Sequence, residues 1–360
     1  MKKIIIYTPY TPSHPGAAGV RVHYLANALS EKGHNPLILS PADGKGLSLA
    51  LRIRHENPSL VIGTAPPLPP LWWIWLGSRL SIAPFVLDAK EDGRAMDILS
   101  RSSHSVKEFL FLSLRKWIYT HADALWFLTE SDRQEARSQY GIDSSRLTLV
   151  TNGTDPRLVF DAVQRKKMRQ EWKVSSQDYV ILYAGSIGDE DLEGLLDSLP
   201  SISRREIWVF VLASDQSPAN QVLKKKLQEK MRKKIPRSII RENIPIGEMG
   251  PILSGGDIGI VPWRNSLPTS LPVKVFDYAG TGLPVVAKAP AGGELDCFLK
   301  AHPTWGKSVD SWDAFHQLLS SKKPSPSGRK LRAQAIHADW DRPSIMRKAV
   351  EWLDEKRLLL

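Results

Sequence analysis

The segment LPVKVFDYAGTGLPVVAKAPAGGE, residues 271–294, decides the fold class, because it predicts a helix that is followed at once by a buried strand. Residues 274–279 predict the start of the helix, and the turn GTG at 280–282 ends it. The run PVVA at 284–287 is continuously apolar, as expected of a strand buried on both faces of a parallel sheet. The loop closed by GGE at 292–294 follows. This order of helix, turn and strand is typical of α/β proteins.

The same segment contains a candidate anion site. The first amides of a helix and the positive end of its dipole attract a diphosphate, and Lys274 adds a positive charge there. Asp277, one turn further, can accept hydrogen bonds from ribose hydroxyls. The alternative is an ordinary helix whose Lys274 and Asp277 face solvent.

Outward from this segment, short apolar runs alternate with helical patterns. In the first half, residues 20–32 have apolar side chains at helical spacing, and Gly33 ends that helix. The apolar runs are continuous, which indicates doubly wound parallel sheets. Strands are predicted at residues 4–7, 36–39, 60–63, 85–87, 124–127 and 147–150, and again at 179–184, 207–212, 258–261 and 284–287.

The turn-forming cluster NGTDP at 152–156 separates the two sets of strands. A chain of 360 residues exceeds the roughly 100–200 residues of a typical domain, so two domains are expected. We predict a first Rossmann-like domain at 1–158 and a second at 159–338. Residues 339–360 predict a final amphipathic helix that either crosses back to the first domain or caps the second.

Composition narrows the possible partners and compartment. Cys297 is the single cysteine, which excludes an intramolecular disulfide and favours a reducing, cytoplasmic compartment. The net charge of +11 favours anionic partners. Basic residues cluster at 222–241 and 322–332, but no nucleic-acid-binding motif accompanies them, so we expect no nucleic acid partner. Arg79 and several prolines interrupt the most apolar stretch before the roughly 20 residues of a membrane span.

The segment 271–294 resembles the donor-binding region of family 4 glycosyltransferases of the GT-B fold, polysaccharide-assembly type. Members carry a P-x-K-x-[FL]-[ED]-Y-x-A-x-G-x-P-V-V string followed by G-G-x-E. Four further stretches resemble the same family in order, namely GAAGVRVHYLANALSEKGHNPLIL (16–39), HADALWFLTESDRQEARSQYGIDSSRLTLVTNGTD (121–155), ILYAGSIGD (181–189) and SGGDIGIVPW (254–263). The resemblance implies a GT-B fold, with two Rossmann-like domains facing a cleft, an acceptor-binding first domain and a donor-binding second domain.

The resemblance also implies roles for particular positions. Donor-binding positions are expected at Gly19, Gly185, Ser186, Ile246, Arg264, Thr269, Val273, Lys274 and Asp277. Acceptor-binding positions are expected at Gly16 and Arg94. The match to a cleft-facing catalytic pair falls on Lys90 and Glu91, within FVLDAKEDGRAMD. Together with Asp92 these residues are the catalytic candidates, because carboxylates at the end of a strand can position a hydroxyl or act as a base. The alternative is that the carboxylates cap the following turn.

Two departures from the family pattern concern charge. The first acid of the family's E-x7-E motif falls on Thr269, which cannot ionise. Asp189, Glu190 and Asp191 stand where cations often follow the phosphate-loop glycine. The phosphate charge would then be met by Lys274, by Arg264 or by backbone amides.

The remaining motifs concern metal and membrane. The sequence has no D-x-D triplet and no metal-ligand spacing, so we expect no cofactor and no obligatory metal. Trp72, Trp73 and Trp75 lie beside prolines in a stretch that predicts either core packing or contact with an anionic inner-leaflet membrane, where tryptophan and basic charge are favoured.

The sequence therefore predicts a hexosyltransferase. It would use a nucleotide diphosphate sugar and a hydroxyl of a glycan or lipid-linked glycan, and retention of configuration is implied by the resemblance. The alternatives are a nucleotide-sugar epimerase of the same fold and a non-catalytic partner of an active transferase. A dehydrogenase is disfavoured because the first strand is not followed by G-x-G-x-x-G.

Overall fold

The computed structural model of the chain describes residues 1–9, 17–90, 105–188, 190–213, 217–321 and 327–359. It divides the chain into two compact units. Unit 1 comprises residues 1–152 and 342–360, and unit 2 comprises residues 153–341. The sequence placed the corresponding boundaries after residues 158 and 338.

Unit 1 contains a six-stranded parallel sheet in the order β2-β1-β3-β4-β5-β6. Its elements are β1 (Lys3–Tyr7), α1 (Ala17–Glu31), β2 (Asn35–Leu39), α2 (Leu47–Glu56), β3 (Leu60–Ala65), α3 (Pro69–Leu80), β4 (Phe85–Ala89), α4 (Ser105–His121), β5 (Ala124–Phe127), α5 (Glu130–Tyr140) and β6 (Leu147–Leu149). A helix from the end of the chain, Arg342–Glu355, belongs to the same unit.

Unit 2 contains a second six-stranded parallel sheet, in the order β12-β11-β10-β7-β8-β9. Its elements are α6 (Ala162–Glu171), β7 (Tyr179–Ser186), α7 (Leu192–Ser198), β8 (Glu206–Ala213), α8 (Pro218–Lys234), β9 (Ser238–Glu242), α9 (Ile246–Gly255), β10 (Ile258–Pro262), α10 (Lys274–Gly280), β11 (Val285–Lys288), α11 (Glu294–Ala301), β12 (Gly306–Val309), α12 (Trp312–Ser320) and α13 (Arg329–Trp340). The last helix of the chain, Arg342–Glu355, is α14.

Both sheets are buried on their two faces, as the continuous apolar runs predicted. Along β1, Ile4 and Ile6 pack into one core, and Ile5 packs into the core on the opposite face. In the second sheet, Val180 and Ile181 of β7 likewise point into different cores. Alternate side chains of one strand thus serve two hydrophobic layers, which is the arrangement of a doubly wound sheet. The predicted fold class is confirmed.

The predicted strands are present, with ends displaced by at most two residues. The helix predicted to end at Gly33 ends at Glu31, and Gly33 closes the turn that follows, with a φ of +82° and its amide donating to the carbonyl of Ser30 at 2.9 Å. Two strands of unit 2, β9 and β12, were not predicted. Both are edge strands of the sheet.

Candidate functional site

Several predicted site residues lie at one edge of the second sheet. The strand order reverses between β7 and β10, because β8 and β9 continue from β7 on one side and β11 and β12 continue from β10 on the other. Ligands of open α/β sheets bind at the carboxyl ends of strands beside such a reversal. Gly185 and Ser186 end β7, Arg264 follows β10, and Lys274 begins α10. These four positions therefore lie where the fold itself favours a ligand.

Lys274 is buried, with 9% of its surface exposed, so the alternative in which it faces solvent is wrong. Its ammonium forms an ion pair with the carboxylate of Glu190 and lies 4.2 Å from the centre of the Tyr183 ring. The end of the Lys274 side chain fills the space beside Gly185, where the Cβ of any other residue would overlap it. Glycine at the end of β7 is thus needed for Lys274 to reach this position.

Glu190 is the acid that meets Lys274, and the sequence did not predict this contact. Its side chain is 3% exposed. Its backbone forms an isolated bridge with Trp263, and its carbonyl accepts from Nη2 of Arg264 at 3.0 Å. The signal in the sequence is the acidic run after the β7 loop, but spacing alone does not show which of its carboxylates turns inward.

Tyr278 fixes α10 against the end of β7. Its hydroxyl accepts from the amide of Ala184 at 2.7 Å, and its ring packs where a Cβ at Gly259 would overlap it. Burial raises the pKa of the Tyr278 hydroxyl well above its ordinary value, so the residue stays neutral. Asp277, the neighbouring residue, is half-buried in the first turn of α10. Tyr278 therefore positions the helix that carries both Lys274 and Asp277.

Other predicted donor-binding residues lie nearby in the chain or at the same carboxyl edge. Thr269 is half-buried in the connection from β10 to α10, and Val273 is the residue before α10. Ile246 begins α9, directly after β9, and packs partly against the core of unit 2. The amide of Gly188 donates to Oγ of Ser186 at 3.4 Å. Strand ends of one parallel sheet share an edge, which places these residues on the same side of unit 2.

Lys288 adds a cation at this edge that the sequence did not single out. It ends β11, and its ammonium donates to Oδ1 of Asn265 at 2.7 Å and lies 5.4 Å from the centre of the Trp312 ring. Burial lowers the pKa of Lys288, although nearby Asp191 opposes the shift. Its only signal in the sequence is a lysine directly after an apolar strand.

Unit 1 has its own buried charge cluster at the end of β4. Asp88 accepts two hydrogen bonds from the guanidinium of Arg21, at 3.0 and 2.8 Å, and its carboxylate lies 3.4 Å from the ammonium of Lys90. Burial raises the pKa of Asp88, but the charges and hydrogen bonds of Arg21 and Lys90 outweigh it, and the pKa lies below its ordinary value. A carboxylate so engaged is a weak base, and its evident role is to hold the two cations.

The other predicted residues of unit 1 are described only in part. Lys90 is buried, and its amide donates to the carbonyl of Ala65 at 3.0 Å at the end of β3. Gly19 is buried within α1. The candidates Gly16, Glu91, Asp92 and Arg94 lie outside the described residues. Arg21, which the sequence did not predict, anchors the cluster through the carbonyls of Val150 and Thr151 as well.

The predicted tryptophans form a surface on α3 and α4. Leu71 and Ile74 bury the inner face of α3, whereas Trp72 is 37% exposed. The Trp72 ring centre lies 6.4 Å from that of Trp117 on α4, and Trp75 packs edge-on against Trp117 at 4.6 Å. Trp75 and Trp117 also pack against the core of unit 1, so the core-packing alternative holds for Trp75, while Trp72 is exposed. No helix in the described part of the chain is long and apolar enough to cross a membrane.

Within the ranges that the structure describes, no three His, Cys, Asp or Glu side chains lie close enough together to hold an ion. Independence of metal stays a prediction.

Known proteins share this architecture. Residues 46–153 match the family profile of the glycosyl transferase 4-like domain. Anabaena HepE in complex with UDP and glucose is similar with a TM-score of 0.74 at 14% identity, covering 99% of this chain and 100% of that chain. A sucrose-phosphate synthase from Thermosynechococcus elongatus gives 0.74 at 14%, covering 99% of each chain. A glycosyltransferase from Rickettsia africae gives 0.70 at 14%, covering 98% of each. Among curated proteins, none matches the chain in sequence.

The chain thus has the GT-B fold of glycosyltransferases, with two Rossmann-like units. Its residues 46–153 match the glycosyl transferase 4-like domain, and the predicted resemblance to family 4 glycosyltransferases is confirmed over that segment.

Proposed function

We propose that the chain transfers a hexosyl group from a nucleotide diphosphate sugar to a hydroxyl of a glycan or lipid-linked glycan, with retention of configuration. The observation that carries the proposal is the position of Lys274, which the end of β7 and α10 hold beside the strand-order reversal of unit 2. HepE, which has the same fold, was crystallised with UDP and with UDP-glucose.

The residues of each unit then have distinct tasks. In unit 2, Lys274 and Arg264 meet the diphosphate, and Asp277 binds the ribose. In unit 1, Lys90, Glu91 and Asp92 carry the reacting hydroxyl, while Gly16 and Arg94 bind the rest of the acceptor. Positioning and stabilisation of the departing diphosphate would supply most of the rate enhancement, without a metal.

The donor site is tested by calorimetric titration with UDP, GDP and ADP. Replacing Lys274 by Met should weaken binding of the preferred nucleotide by about 10- to 100-fold, as expected for a lost charge-assisted hydrogen bond. Lys226→Met is the control, because Lys226 is exposed on α8 and pairs with Glu193 at 2.6 Å. Equal affinity of the Lys274→Met variant and the wild type would refute the role of Lys274.

A non-catalytic role is the second candidate, and Thr269 favours it, because this half-buried position of the site cannot ionise. Donor turnover separates the two functions. A transferase releases nucleoside diphosphate only when an acceptor glycan is added, and the activity should persist in EDTA. A protein that binds the donor but releases no nucleotide with any acceptor of a glycan panel is a non-catalytic partner.

We also propose that the acceptor is reached at an anionic membrane surface on the cytoplasmic side. Exposed Trp72 and, on α4, exposed Phe109 and Leu110 can enter the interface, while the net charge of +11 attracts acidic lipids. Leu110 precedes Trp117 by seven residues and shares its face of α4.

Flotation with phosphatidylglycerol vesicles at low salt tests this contact. The wild type should float with the vesicles, and Trp72→Ala/Phe109→Ala should remain in solution. Leu331→Ala is the control, since Leu331 is a 71% exposed apolar residue of unit 2. Absence of wild-type binding, or full binding of the double variant, contradicts the proposal.

A further inference from the structure

The cation of the proposed donor site already has an internal anion. The ammonium of Lys274 is paired with the carboxylate of Glu190, and both side chains are less than one-tenth exposed. A nucleoside diphosphate needs a positive charge at this edge of the sheet, yet the pair has no net charge. The donor site therefore carries less positive charge than a site whose lysine has no internal carboxylate beside it.

The backbone of Glu190 is held in place independently of its side chain. It bridges to Trp263, and its carbonyl accepts from Arg264 at 3.0 Å. The next residue, Asp191, donates its amide to the carbonyl of Pro262 at 2.8 Å, and its side chain caps α7 by accepting from the amide of Gly194 at 3.0 Å. Rotation of the Glu190 side chain would break none of these bonds.

Lys274 also has contacts that do not involve the Glu190 side chain. Its ammonium lies over the Tyr183 ring, and the hydroxyl of Tyr183 donates to the carbonyl of Ser186 at 2.7 Å. The space beside Gly185 receives the end of the lysine side chain. Lys274 would thus keep these contacts if the carboxylate of Glu190 turned away.

From this arrangement we propose that the carboxylate of Glu190 occupies the phosphate position at Lys274 in the ligand-free protein and competes with a diphosphate for it. The inference rests on the proposed donor site. Like charges in close contact repel strongly where water is excluded. A diphosphate can therefore approach Lys274 only as the carboxylate of Glu190 turns away, and the cost of that exchange lowers the affinity for anionic ligands.

The exchange has a selective consequence. A ligand with two phosphates can replace the carboxylate at Lys274 with one phosphate and contact Arg264 with the other. Arg264 stays in place because its bond to the backbone carbonyl of Glu190 does not depend on the Glu190 side chain. A nucleoside without phosphate has no charge to offer Lys274 and leaves the ion pair intact. Glu190 thus lowers the affinity for the diphosphate but not for the nucleoside, and it holds the buried lysine neutralised when the site is empty.

The experiment is calorimetric titration of the full chain with UDP, GDP and ADP, and with the matching nucleoside as an uncharged probe. Glu190→Gln should bind the preferred diphosphate about tenfold more tightly than the wild type. Its affinity for the nucleoside should stay unchanged. Glu190→Asp, which keeps the charge but shortens the side chain, should lie between the two proteins.

Glu193→Gln is the matched control. It makes the same change in charge and shape three residues away, at an exposed carboxylate whose partner is Lys226, and it should bind as the wild type does. When Lys274 is also replaced by Met, the gain in diphosphate affinity from Glu190→Gln should shrink, because there is no ammonium for the carboxylate and the phosphate to compete for. Thermal melting of each variant establishes that it is folded.

Each outcome has a separate meaning. Unchanged or weaker diphosphate binding by folded Glu190→Gln overturns the inference while leaving the donor site in place. An equal gain for the nucleoside overturns it too, since charge exchange with phosphate would not be the cause. If the wild type binds none of the three diphosphates, the proposed donor site itself fails, and the inference fails with it.

Discussion

At the scale of single residues, Gly185 decides whether Lys274 can reach its place. A Cβ at this position would overlap the end of the Lys274 side chain, so Gly185→Ala must push the ammonium aside. The displaced group is the end of a flexible side chain, and we expect a stability loss of only about 1 kcal/mol. Affinity for the nucleoside diphosphate should nevertheless fall about tenfold, as measured by calorimetry.

Gly188→Ala is the control from the same loop. Among the described residues, its Cβ would meet Oδ1 of Asn220 alone, at 4.0 Å, and its φ requires no glycine. Binding should stay within about twofold of the wild type, well below the factor of ten that corresponds to about 1.4 kcal/mol. Similar losses in both variants would mean that the loop backbone, and not the lysine, determines affinity.

Asp88 gives unit 1 a stability that depends on pH. Because its pKa is lower in the folded protein than in the unfolded chain, folding is favoured most when the carboxylate is ionised. This contribution is complete above the unfolded pKa of about 3.9 and is lost as the pH falls through the lower folded value. Asp88→Asn leaves Arg21 and Lys90 buried without their anion, and should cost about 3 kcal/mol at pH 7.

Urea-dependent hydrogen exchange of β4 peptides, measured from pH 7 to pH 3, checks this expectation. The difference in stability between the wild type and Asp88→Asn should narrow as the pH falls below about 4. Asp354→Asn removes an exposed carboxylate of the same unit, 3.4 Å from Lys32, and should have little effect. A difference independent of pH would show that Asp88 acts through packing alone.

Single residues also show how much of the candidate site could be predicted from the sequence. It predicted Lys274 as a donor-site cation from a string of residues that surround it in the chain, and those residues form α10. It did not predict Glu190 or Arg21, because each meets its partner across a long separation, 84 positions for Glu190 and 67 for Arg21. Pairing at such distances depends on strand order, which no local pattern contains.

At the scale of elements, Arg329 of α13 joins two helix ends. Its buried guanidinium donates to the carbonyls of Leu253, Ser254 and Gly256 at the end of α9, and to the carbonyl of Thr281 after α10. Arg329→Met should therefore destabilise unit 2 by about 2–4 kcal/mol, since each carbonyl left buried without a donor costs about 1–3 kcal/mol.

Chemical denaturation followed by the exchange of α9 amides measures this loss. Lys330→Met, an exposed change in the same turn of α13, should stay within about 0.5 kcal/mol of the wild type. Arg165 also donates to the carbonyls of Ser254 and Gly256, which limits the damage. A loss equal to that of Lys330→Met would mean that water replaces Arg329 at these helix ends.

The strands show why the sequence predicted most elements but not all. Strands β7, β8 and β10 lie inside the sheet and are covered on both faces, so their residues form continuous apolar runs. The edge strands β9 (Ser238–Glu242) and β12 (Gly306–Val309) have no fully buried residue. Such short, half-exposed segments lack the apolar signal of a central strand, and the neighbouring strand, not their own composition, makes them extended.

At the scale of the whole molecule, unit 1 is built from two separate parts of the chain. Met346, Val350 and Leu353 of α14 are buried in one core with Val22, Leu25 and Leu29 of α1. Each such buried side chain contributes about 1.5–3 kcal/mol, so losing α14 would remove a large part of the about 5–15 kcal/mol that stabilises a typical domain. Unit 2, in contrast, is continuous from residue 153 to 341 and has its own two cores.

Fragments of the chain should therefore behave differently. Residues 153–341 should melt cooperatively on their own and, since Gly185, Glu190 and Lys274 all lie within them, should bind the preferred nucleoside diphosphate. Residues 1–152 should unfold at much lower denaturant, and a flexible linker that joins residues 342–360 to them should restore stability. The same fusion with Val350→Asp and Leu353→Asp should not regain this stability. If residues 1–152 alone were as stable as the fusion, α14 would be only a surface attachment; the buried side chains of α14 argue that it completes the core of unit 1.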